Sequence, residues 1–278
     1  MFVFIEIVLH LKLILEYDGT NYKGWQMQSA APTVQGAVEA ALQRLFSEPV
    51  RVRVAGRTDA GVHAVGQVIA FAAPKTVELL RFHRSLNAVL PVDISVKEIE
   101  EVSEFFNPRR DARSRVYQYR IWNHQWRSPI WARYSWHIPY LLKSEAMNEA
   151  AALLVGDHDF SSFQGTDSVE HNPHRTVFFS AIRQNGDFLV YDVEARSFLR
   201  HMVRNIVGAL VDVGRSALSI TDFAAIFTAR DRTRARLNAP PQGLFLMEVT
   251  YSPESAGNGS AQELPSAEKG LRDWQEGP

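Results

Sequence analysis

The chain has 278 residues, 46% of them hydrophobic, which is enough to form a substantial core in one large domain or two modest ones. It contains no cysteine, so disulfides and thiolate metal sites are excluded and a reducing compartment is favoured. The formal net charge is −1, which argues against a uniformly basic surface but leaves room for a local basic patch.

The opening segment, residues 1–11, is apolar but does not have the pattern of a signal peptide. It has no basic region and no small-residue cleavage site, and Glu6 and His10 interrupt it. It is also too short to span a bilayer. We expect it to lead into the first strand, and we expect the protein to be cytoplasmic with no membrane contact.

The first half of the chain predicts the order strand, helix, strand, strand, helix, strand. Residues 11–17 alternate as a strand, and Thr33 is placed to cap a helix over 34–46 whose apolar residues recur at helical spacing. Strands at 50–54 and 66–71 flank a short loop. A second helix over 77–89 and a strand over 94–102 complete the unit.

The second half repeats this order. A strand at 115–122 and a helix at 144–155, closed by Gly156, precede a hairpin of 177–184 and 188–195 that turns at Asn185-Gly186-Asp187. A helix at 198–213, a short inserted helix at 221–228 and a strand at 243–251 follow. Two copies of a split βαβ unit are therefore predicted.

The predicted fold class is α+β. Two ferredoxin-like or RRM-like halves, 1–104 and 105–251, would each form a four-stranded antiparallel sheet with helices on one face, and the sheets would join around a central cleft. Residues 252–278 are rich in Ser, Glu, Gly and Ala with few large apolar side chains, so we expect a disordered tail.

The loop between the strands at 50–54 and 66–71 contains Arg57-Thr58-Asp59 between Gly56 and Gly61. Glycine allows a ligand to approach the main chain closely. An Asp beside an Arg would be ionised at neutral pH and able to act as a nucleophile or base. An isolated Arg-x-Asp is more often a tight turn with a surface ion pair, so the surrounding residues decide between the two interpretations.

The string GRTDAGVHA at 56–64 resembles the signature of the tRNA pseudouridine synthase A family. Further strings of that family follow in the same order between about Leu11 and Tyr251. They are EYDGTNYKGWQ at 16–26, NAVLPVDI at 87–94, YQYRI at 117–121, FSSF at 160–163, FLRHMVRNIVG at 198–208 and GLFL at 243–246.

This resemblance implies an isomerase that converts uridine to pseudouridine at positions 38, 39 and 40 of the tRNA anticodon arm. The N1–C1′ bond breaks, the base rotates, and C5 bonds to C1′, so the base must first leave its stack. The chemistry requires no metal or redox cofactor, and none is predicted. The resemblance also implies joined sheets with a cleft between them, and a homodimer.

The resemblance also assigns roles to residues. Asp59 would be the nucleophile, Arg57 would displace the target base or hold the vacated space, and Tyr117 would stack on the flipped base. Arg204 would pair with Asp59. On the residues alone, Arg57 could instead be the ion partner of Asp59, and Tyr119 faces the same side of the strand as Tyr117.

Positive charge is concentrated in one stretch. Seven arginines but only one acidic residue, Asp111, lie between Phe105 and Trp136. Residues 252–278 carry a net charge of −3, so the rest of the chain carries +2. These arginines could form one basic surface or, alternatively, be scattered over several faces of the protein. Arg200, four residues before Arg204, is expected to share a helix face with it. The predicted RNA-binding residues are Lys23, Arg109, Arg110, Arg113, Arg115 and Arg200, and the run RDRTRAR at 230–236 is a further candidate.

One departure from the family pattern precedes Tyr117. Where the family usually has Phe-His-Ala-Arg, this chain has Phe106-Asn107-Pro108-Arg109. A role of the missing histidine is therefore not transferred to this chain, whereas the set of Asp, Tyr and Arg remains.

Three other functions compete with the isomerase. A non-catalytic RNA-binding protein on RRM-like units would show an RNP1-like string, which is missing. A glycosidase-like hydrolase needs a second carboxylate in a comparably special setting, and no such candidate is found. A nucleotide-driven enzyme would carry G-x-x-x-x-G-K-[ST], which does not occur.

Overall fold

The computed structural model describes residues 9–166, 172–235 and 237–252. The elements of the first half are β1 (Leu9–Tyr17), α1 (Val34–Phe46), β2 (Arg53–Val54), β3 (His63–Ala73), α2 (Leu79–Val89) and β4 (Ile94–Glu101). Those of the second half are β5 (Ala112–Trp122), β6 (Trp136–His137), α3 (Ser144–Ala152), β7 (Gly156–Asp159), β8 (His174–Asn185), β9 (Phe188–Ala195), α4 (Met202–Gly214), α5 (Ile220–Thr228) and β10 (Leu244–Tyr251).

The ten strands of the described residues belong to one sheet, whose main order is β4-β1-β3-β10-β5-β9-β8-β7, with β2 on β3 and β6 on β5. The first half thus has the order β4-β1-β3-β2, and the second half repeats it as β10-β5-β9-β8. This is the strand order of a split βαβ unit, and the predicted duplication is confirmed.

Local sequence explains the regular elements. Every second residue of β1 is buried, so one face of that strand contacts the core. The predicted helix cap at Thr33 is present, because its Oγ1 accepts a hydrogen bond from the Gly36 N–H at 3.2 Å. The hairpin between β8 and β9 turns at Gly186, which has a φ of 57°.

The two halves join through a short parallel pairing that we call the seam. In the seam, His63 and Ala64 of β3 lie opposite Phe245 and Leu246 of β10. Close backbone approach continues at Gly66, where a Cβ atom would lie 2.3 Å from the carbonyl oxygen of Met247. Only glycine permits this separation of the two strands.

His63 holds the seam from inside. Its Nδ1 accepts a hydrogen bond from the Gly19 N–H at 3.1 Å, and its Nε2 faces the carbonyl oxygens of Arg133 at 3.0 Å and Gln242 at 3.2 Å. Burial lowers the pKa of His63, and the Asp18 carboxylate, whose Oδ1 lies 3.1 Å from Nδ1, opposes this shift. The ring also stacks on Phe245 at a centroid distance of 4.7 Å.

Several predicted boundaries were wrong. The helix predicted over 198–213 begins at Met202, because His201 has a φ of 61° and cannot belong to a right-handed helix. The helix predicted over 144–155 ends at Ala152, and Gly156 starts β7 instead of closing the helix. The strand predicted over 50–54 is reduced to Arg53–Val54. Strands β6 and β7 were not predicted.

Two sequence predictions fall on parts of the chain outside the described residues. These are most of the lead-in segment before Leu9 and, apart from Ser252, the tail of residues 252–278. Within the described ranges, none of the helices is long and apolar enough to cross a membrane.

Gly66→Ala is expected to lower the free energy of unfolding by about 1–3 kcal/mol, because the new methyl group collides with the backbone of β10 and must push the seam apart. Chemical denaturation measures this effect. Ala72→Ser, at an exposed position of the same strand, is the control and should stay within about 0.5 kcal/mol of the native chain. Equal midpoints for Gly66→Ala and the native chain would contradict the close packing of the seam.

Candidate active site

A cleft of about 1280 Å³ lies between the two halves. The first half contributes the loop that carries Arg57 and Asp59. The second half contributes Tyr117 on β5 and the segment that enters α4, which carries His201 and Arg204. The seam therefore brings together residues that are far apart in the chain.

Backbone hydrogen bonds fix the loop that carries Asp59. The N–H of Trp25 donates to the carbonyl oxygen of Thr58 at 3.0 Å, and the N–H of Val62 donates to that of Asp59 at 3.2 Å. Gly61 has a φ of 76°, a conformation that other residues rarely adopt, and its N–H donates to the carbonyl of Tyr22 at 3.3 Å. These hydrogen bonds hold the loop in one conformation.

A buried polar network supports the same loop from below. Gln67 Nε2 donates to the carbonyl oxygen of Gly56 at 2.8 Å and to the Tyr17 hydroxyl at 3.3 Å. That hydroxyl lies 2.8 Å from Thr58 Oγ1. Burial raises the pKa of Tyr17 to about 12, so the hydroxyl keeps its proton and can donate it to Thr58.

The Asp59 carboxylate faces nitrogen atoms of two side chains from the second half. Its Oδ2 lies 3.4 Å from Arg204 Nη1 and 3.4 Å from His201 Nε2, and 28% of the side chain is exposed. Arg204 is itself anchored, because its Nε donates to the carbonyl oxygen of Ala239 at 2.7 Å. The carboxylate is therefore oriented by the second half while one side stays open to the cleft.

Sequence reasoning missed the position of His201 beside Asp59. This residue has left-handed backbone angles immediately before α4, a conformation that costs about 1–3 kcal/mol for a residue other than glycine. Such strain is found where the surrounding structure holds a functional residue in place. The string at 198–208 contained this histidine, but nothing in its spacing indicated the left-handed turn.

Arg57 borders the cleft and is exposed. Within the described part of the chain it forms no ion pair, and the carboxylate of Asp59 is instead close to Arg204. This geometry disfavours the interpretation in which Arg57 only neutralises Asp59, and it leaves the guanidinium accessible to a ligand.

Tyr117 and Tyr119 have different surroundings. Tyr117 borders the cleft and packs edge-on against Phe198, with ring centroids 5.0 Å apart. Burial raises the pKa of Tyr117, and the nearby Tyr17 and Asp59 raise it further. Tyr119 is fully buried and donates its hydroxyl proton to the carbonyl oxygen of Pro240 at 2.7 Å. The geometry therefore favours Tyr117 as the tyrosine that meets a ligand.

The cleft is strongly basic. Among the described residues that line it, Asp59 is the one carboxylate. The seven cationic side chains of the lining are Lys23, Arg53, Arg57, Arg109, Arg115, Arg200 and Arg204. A surface of this kind favours a polyanionic ligand.

The predicted RNA-binding residues are divided between two places. Lys23, Arg109 and Arg200 line the cleft, whereas Arg110 and Arg113 line an adjoining groove of about 800 Å³ that shares Arg109 and Arg115 with it. Arg120, Arg127 and Arg133 line neither, so the arginines of this stretch are partly scattered.

Two expectations about arginines were wrong. Arg200 precedes α4, since the helix begins at Met202, and it does not share a helix face with Arg204. Arg115 is only 8% exposed, and its guanidinium donates hydrogen bonds to backbone carbonyl oxygens of this chain. It is therefore not an exposed group available to bind RNA phosphates.

Comparison with known proteins identifies the family. A family model described as "tRNA pseudouridine synthase" matches residues 13–109 and 150–252. The chain therefore belongs to the tRNA pseudouridine synthase family, whose members are isomerases that convert uridine to pseudouridine. The duplicated α+β fold agrees with this membership.

Several relatives are named tRNA pseudouridine synthase A. The protein of Moorella thermoacetica is 46% identical over 243 residues, those of Geobacter sulfurreducens and Geotalea uraniireducens are 45% and 42% identical over 241, and each alignment covers 87% of this chain and 99% of the relative. Among solved structures, the archaeal box H/ACA sRNP Nop10–Cbf5 complex aligns at a TM-score of 0.33 and 9% identity, over 72% of this chain and 44% of that one.

Tyr117→Phe is expected to weaken the loss of stability at alkaline pH. The pKa of Tyr117 lies above its ordinary 10.0 in the folded chain, so stability is full below pH 10.0 and falls as the pH rises toward the raised value. Urea midpoints just below and well above pH 10.0 measure this loss, with Tyr140→Phe, at an exposed position, as the control. An equal loss of stability at alkaline pH in the native chain and in Tyr117→Phe would contradict the raised pKa of Tyr117.

Proposed function

We propose that this chain isomerises uridine to pseudouridine in the anticodon stem-loop of tRNA, at positions 38, 39 and 40, with Asp59 as the nucleophile. The observation that carries the proposal is the placement of Asp59 as the one carboxylate among the described lining residues of a cationic cleft. Family membership, the relatives' names and the resemblance of residues 56–64 support the substrate and the role.

The reaction is an internal transfer. The N1–C1′ bond of uridine breaks, C5 of the same base bonds to C1′, C5 loses its hydrogen as a proton, and N1 gains a proton, so the product is an isomer of the substrate. Asp59 can attack the sugar at C1′, add to C6 of the ring, or remove a proton from C2′. All three need an oriented carboxylate, and Arg204 at 3.4 Å orients it; none requires a metal or redox cofactor.

The neighbouring side chains have complementary roles in this proposal. Tyr117, on the cleft wall, stacks on the flipped base and keeps its proton. Arg57, exposed at the loop, occupies the space that the base leaves or binds the adjacent phosphate. Arg204 holds Asp59 in its reactive orientation.

RNA capture would use the backbone rather than the base sequence. An enzyme that acts at neighbouring positions recognises shape and phosphates. We propose Lys23, Arg109 and Arg200 in the cleft, with Arg110 in the adjoining groove, as phosphate ligands.

The geometry also bears on two of the three alternative functions, the hydrolase and the RNA-binding protein. A glycosidase-like hydrolase uses a pair of facing carboxylates, whereas the described residues of the cleft supply one. A purely RNA-binding protein has no need for a strained His201 and an anchored Arg204 around a half-buried carboxylate. Both features favour catalysis.

Asp59→Asn is expected to reduce tritium release from tRNA labelled at C5 of uridine by about 10⁴-fold or more, because the amide cannot act as a nucleophile. C5 loses its hydrogen only when the new C–C bond forms, so the assay reports isomerisation directly. Asp157→Asn, at an exposed position of β7, is the matched control and should retain native activity.

Tritium release by both the native chain and Asp59→Asn would support the isomerase activity but reject Asp59 as the nucleophile. Binding of several tRNAs by the native chain without release would instead favour the non-catalytic RNA-binding protein. Mapping the modified uridines in the product tRNA tests positions 38, 39 and 40.

Arg204→Met is expected to lower kcat on the order of 10²-fold with a smaller change in KM, because the carboxylate loses the charge that orients it. Tritium release at saturating and limiting tRNA separates the two constants. Arg215→Met removes a cation that follows the same helix and pairs with Asp212, outside the cleft, so it should leave kcat unchanged. Equal kcat for Arg204→Met and Arg215→Met would reject the role of Arg204.

We further propose a cytoplasmic homodimer. The family resemblance supports the dimer, and the lack of cysteine fits a reducing compartment. Light scattering would show a mass twice that of one chain, and a monomeric mass at working concentrations would reject the dimer.

A further inference from the structure

Arg115 is a buried arginine whose hydrogen-bond partners come from separate segments of the cleft wall. Nη2 donates to the carbonyl oxygens of Ala55 at 2.9 Å and Arg109 at 2.8 Å, and Nη1 donates to that of Arg196 at 2.8 Å. A longer contact of 3.5 Å joins Nη1 to the carbonyl oxygen of Ala112. One guanidinium thus bridges residues 55, 109 and 196.

Each of the three segments leads directly to a residue of the proposed site. Ala55 lies two residues before Arg57 and four before Asp59. Arg196 is followed by Phe198, which packs against Tyr117, and then by His201. Arg109 lines the cleft itself, and Arg115 precedes Tyr117 by two residues on the same face of β5.

The segment around Arg109 is built to present its carbonyl group. Asn107 Oδ1 accepts hydrogen bonds from the N–H groups of Arg109 and Arg110, both at 3.1 Å. Asp111 Oδ2 accepts from the Asn107 N–H at 2.7 Å and closes the turn. The departure from the family pattern at Asn107-Pro108 therefore forms a self-supporting turn that packs onto Arg115.

The charge of Arg115 has no carboxylate partner among the described residues, and burial lowers its pKa. Burying an unpaired charge is costly unless hydrogen bonds satisfy it, and backbone carbonyl oxygens do so here. A lysine has a single ammonium group and cannot reproduce the planar fork of donors that reaches three directions. The geometry thus requires arginine in particular.

We propose that Arg115 is a positioning residue, whose guanidinium fixes the loop of Asp59, the turn at 107–111 and the segment at 196–201 relative to Tyr117. This inference rests on the proposed isomerase function for its effect on rate. Misplacement of reacting groups by about 1 Å is enough to cost on the order of 10²-fold in rate.

The experiment compares Arg115→Ala, Arg115→Lys and the native chain by tritium release from C5-labelled tRNA. We expect kcat to fall on the order of 10²-fold in Arg115→Ala with little change in KM, and to be intermediate in Arg115→Lys. Added methylguanidine should restore part of the activity of Arg115→Ala, because it can occupy the vacated space.

Arg120→Met is the matched control. Arg120 lies on the same strand and is 8% exposed, like Arg115, but its Nε donates to the Gln118 side chain and its guanidinium covers the Phe245 ring at 4.1 Å. Its loss should reduce thermal stability without lowering kcat or responding to methylguanidine. A similar fall in kcat in both variants, or native kcat in Arg115→Lys, would overturn the proposal.

Amide hydrogen exchange tests the bridge independently of activity. In Arg115→Ala, exchange should accelerate together in residues 55–59, 107–111 and 196–201, and Arg120→Met should leave these segments protected. Unchanged exchange in all three segments would overturn the positioning role. If the native chain releases no tritium, the isomerase function is rejected. Faster exchange in the three segments of Arg115→Ala would still support the positioning role of Arg115.

Discussion

The candidate site depends on the pairing of β3 with β10. Asp59 comes from the first half of the chain, and Arg204, to which its carboxylate is bound, lies 145 positions later. Local hydrogen bonds shape each segment, and the seam brings the two halves that carry them together. Buried His63 and the bare backbone at Gly66 allow two strands from different halves to approach at that point.

Much of the fold could be predicted because its signals are local. Alternating burial along β1 and the helical spacing of α1 are written in adjacent residues, and the same pattern occurs twice. Strands β6 and β7 were missed because they have two and four residues and no apolar alternation. The start of α4 was missed because His201 adopts a positive φ, which nothing in the local sequence indicates.

The site was predicted unevenly for a similar reason. The resemblance named Asp59, Tyr117 and Arg204, and the structure brings these residues to one cleft. The sequence predicts Arg115 as an RNA-binding residue, because an arginine that contacts solvent and one that donates to carbonyl oxygens look the same in sequence. Arg115 is buried, and its guanidinium donates to the carbonyl oxygens of Ala55 and Arg196. Both residues are distant in sequence, so nothing next to Arg115 predicts these contacts.

The excess of cationic side chains in the cleft makes the binding of RNA depend on the salt concentration. An RNA that binds there releases condensed counterions, so its affinity falls as the salt concentration rises. The pair of Asp59 and Arg204 is largely shielded from solvent, and mobile ions screen such pairs much less than exposed charges. Ionic strength would therefore govern how often the cleft is filled, while the rate of reaction in a filled cleft stays nearly independent of it.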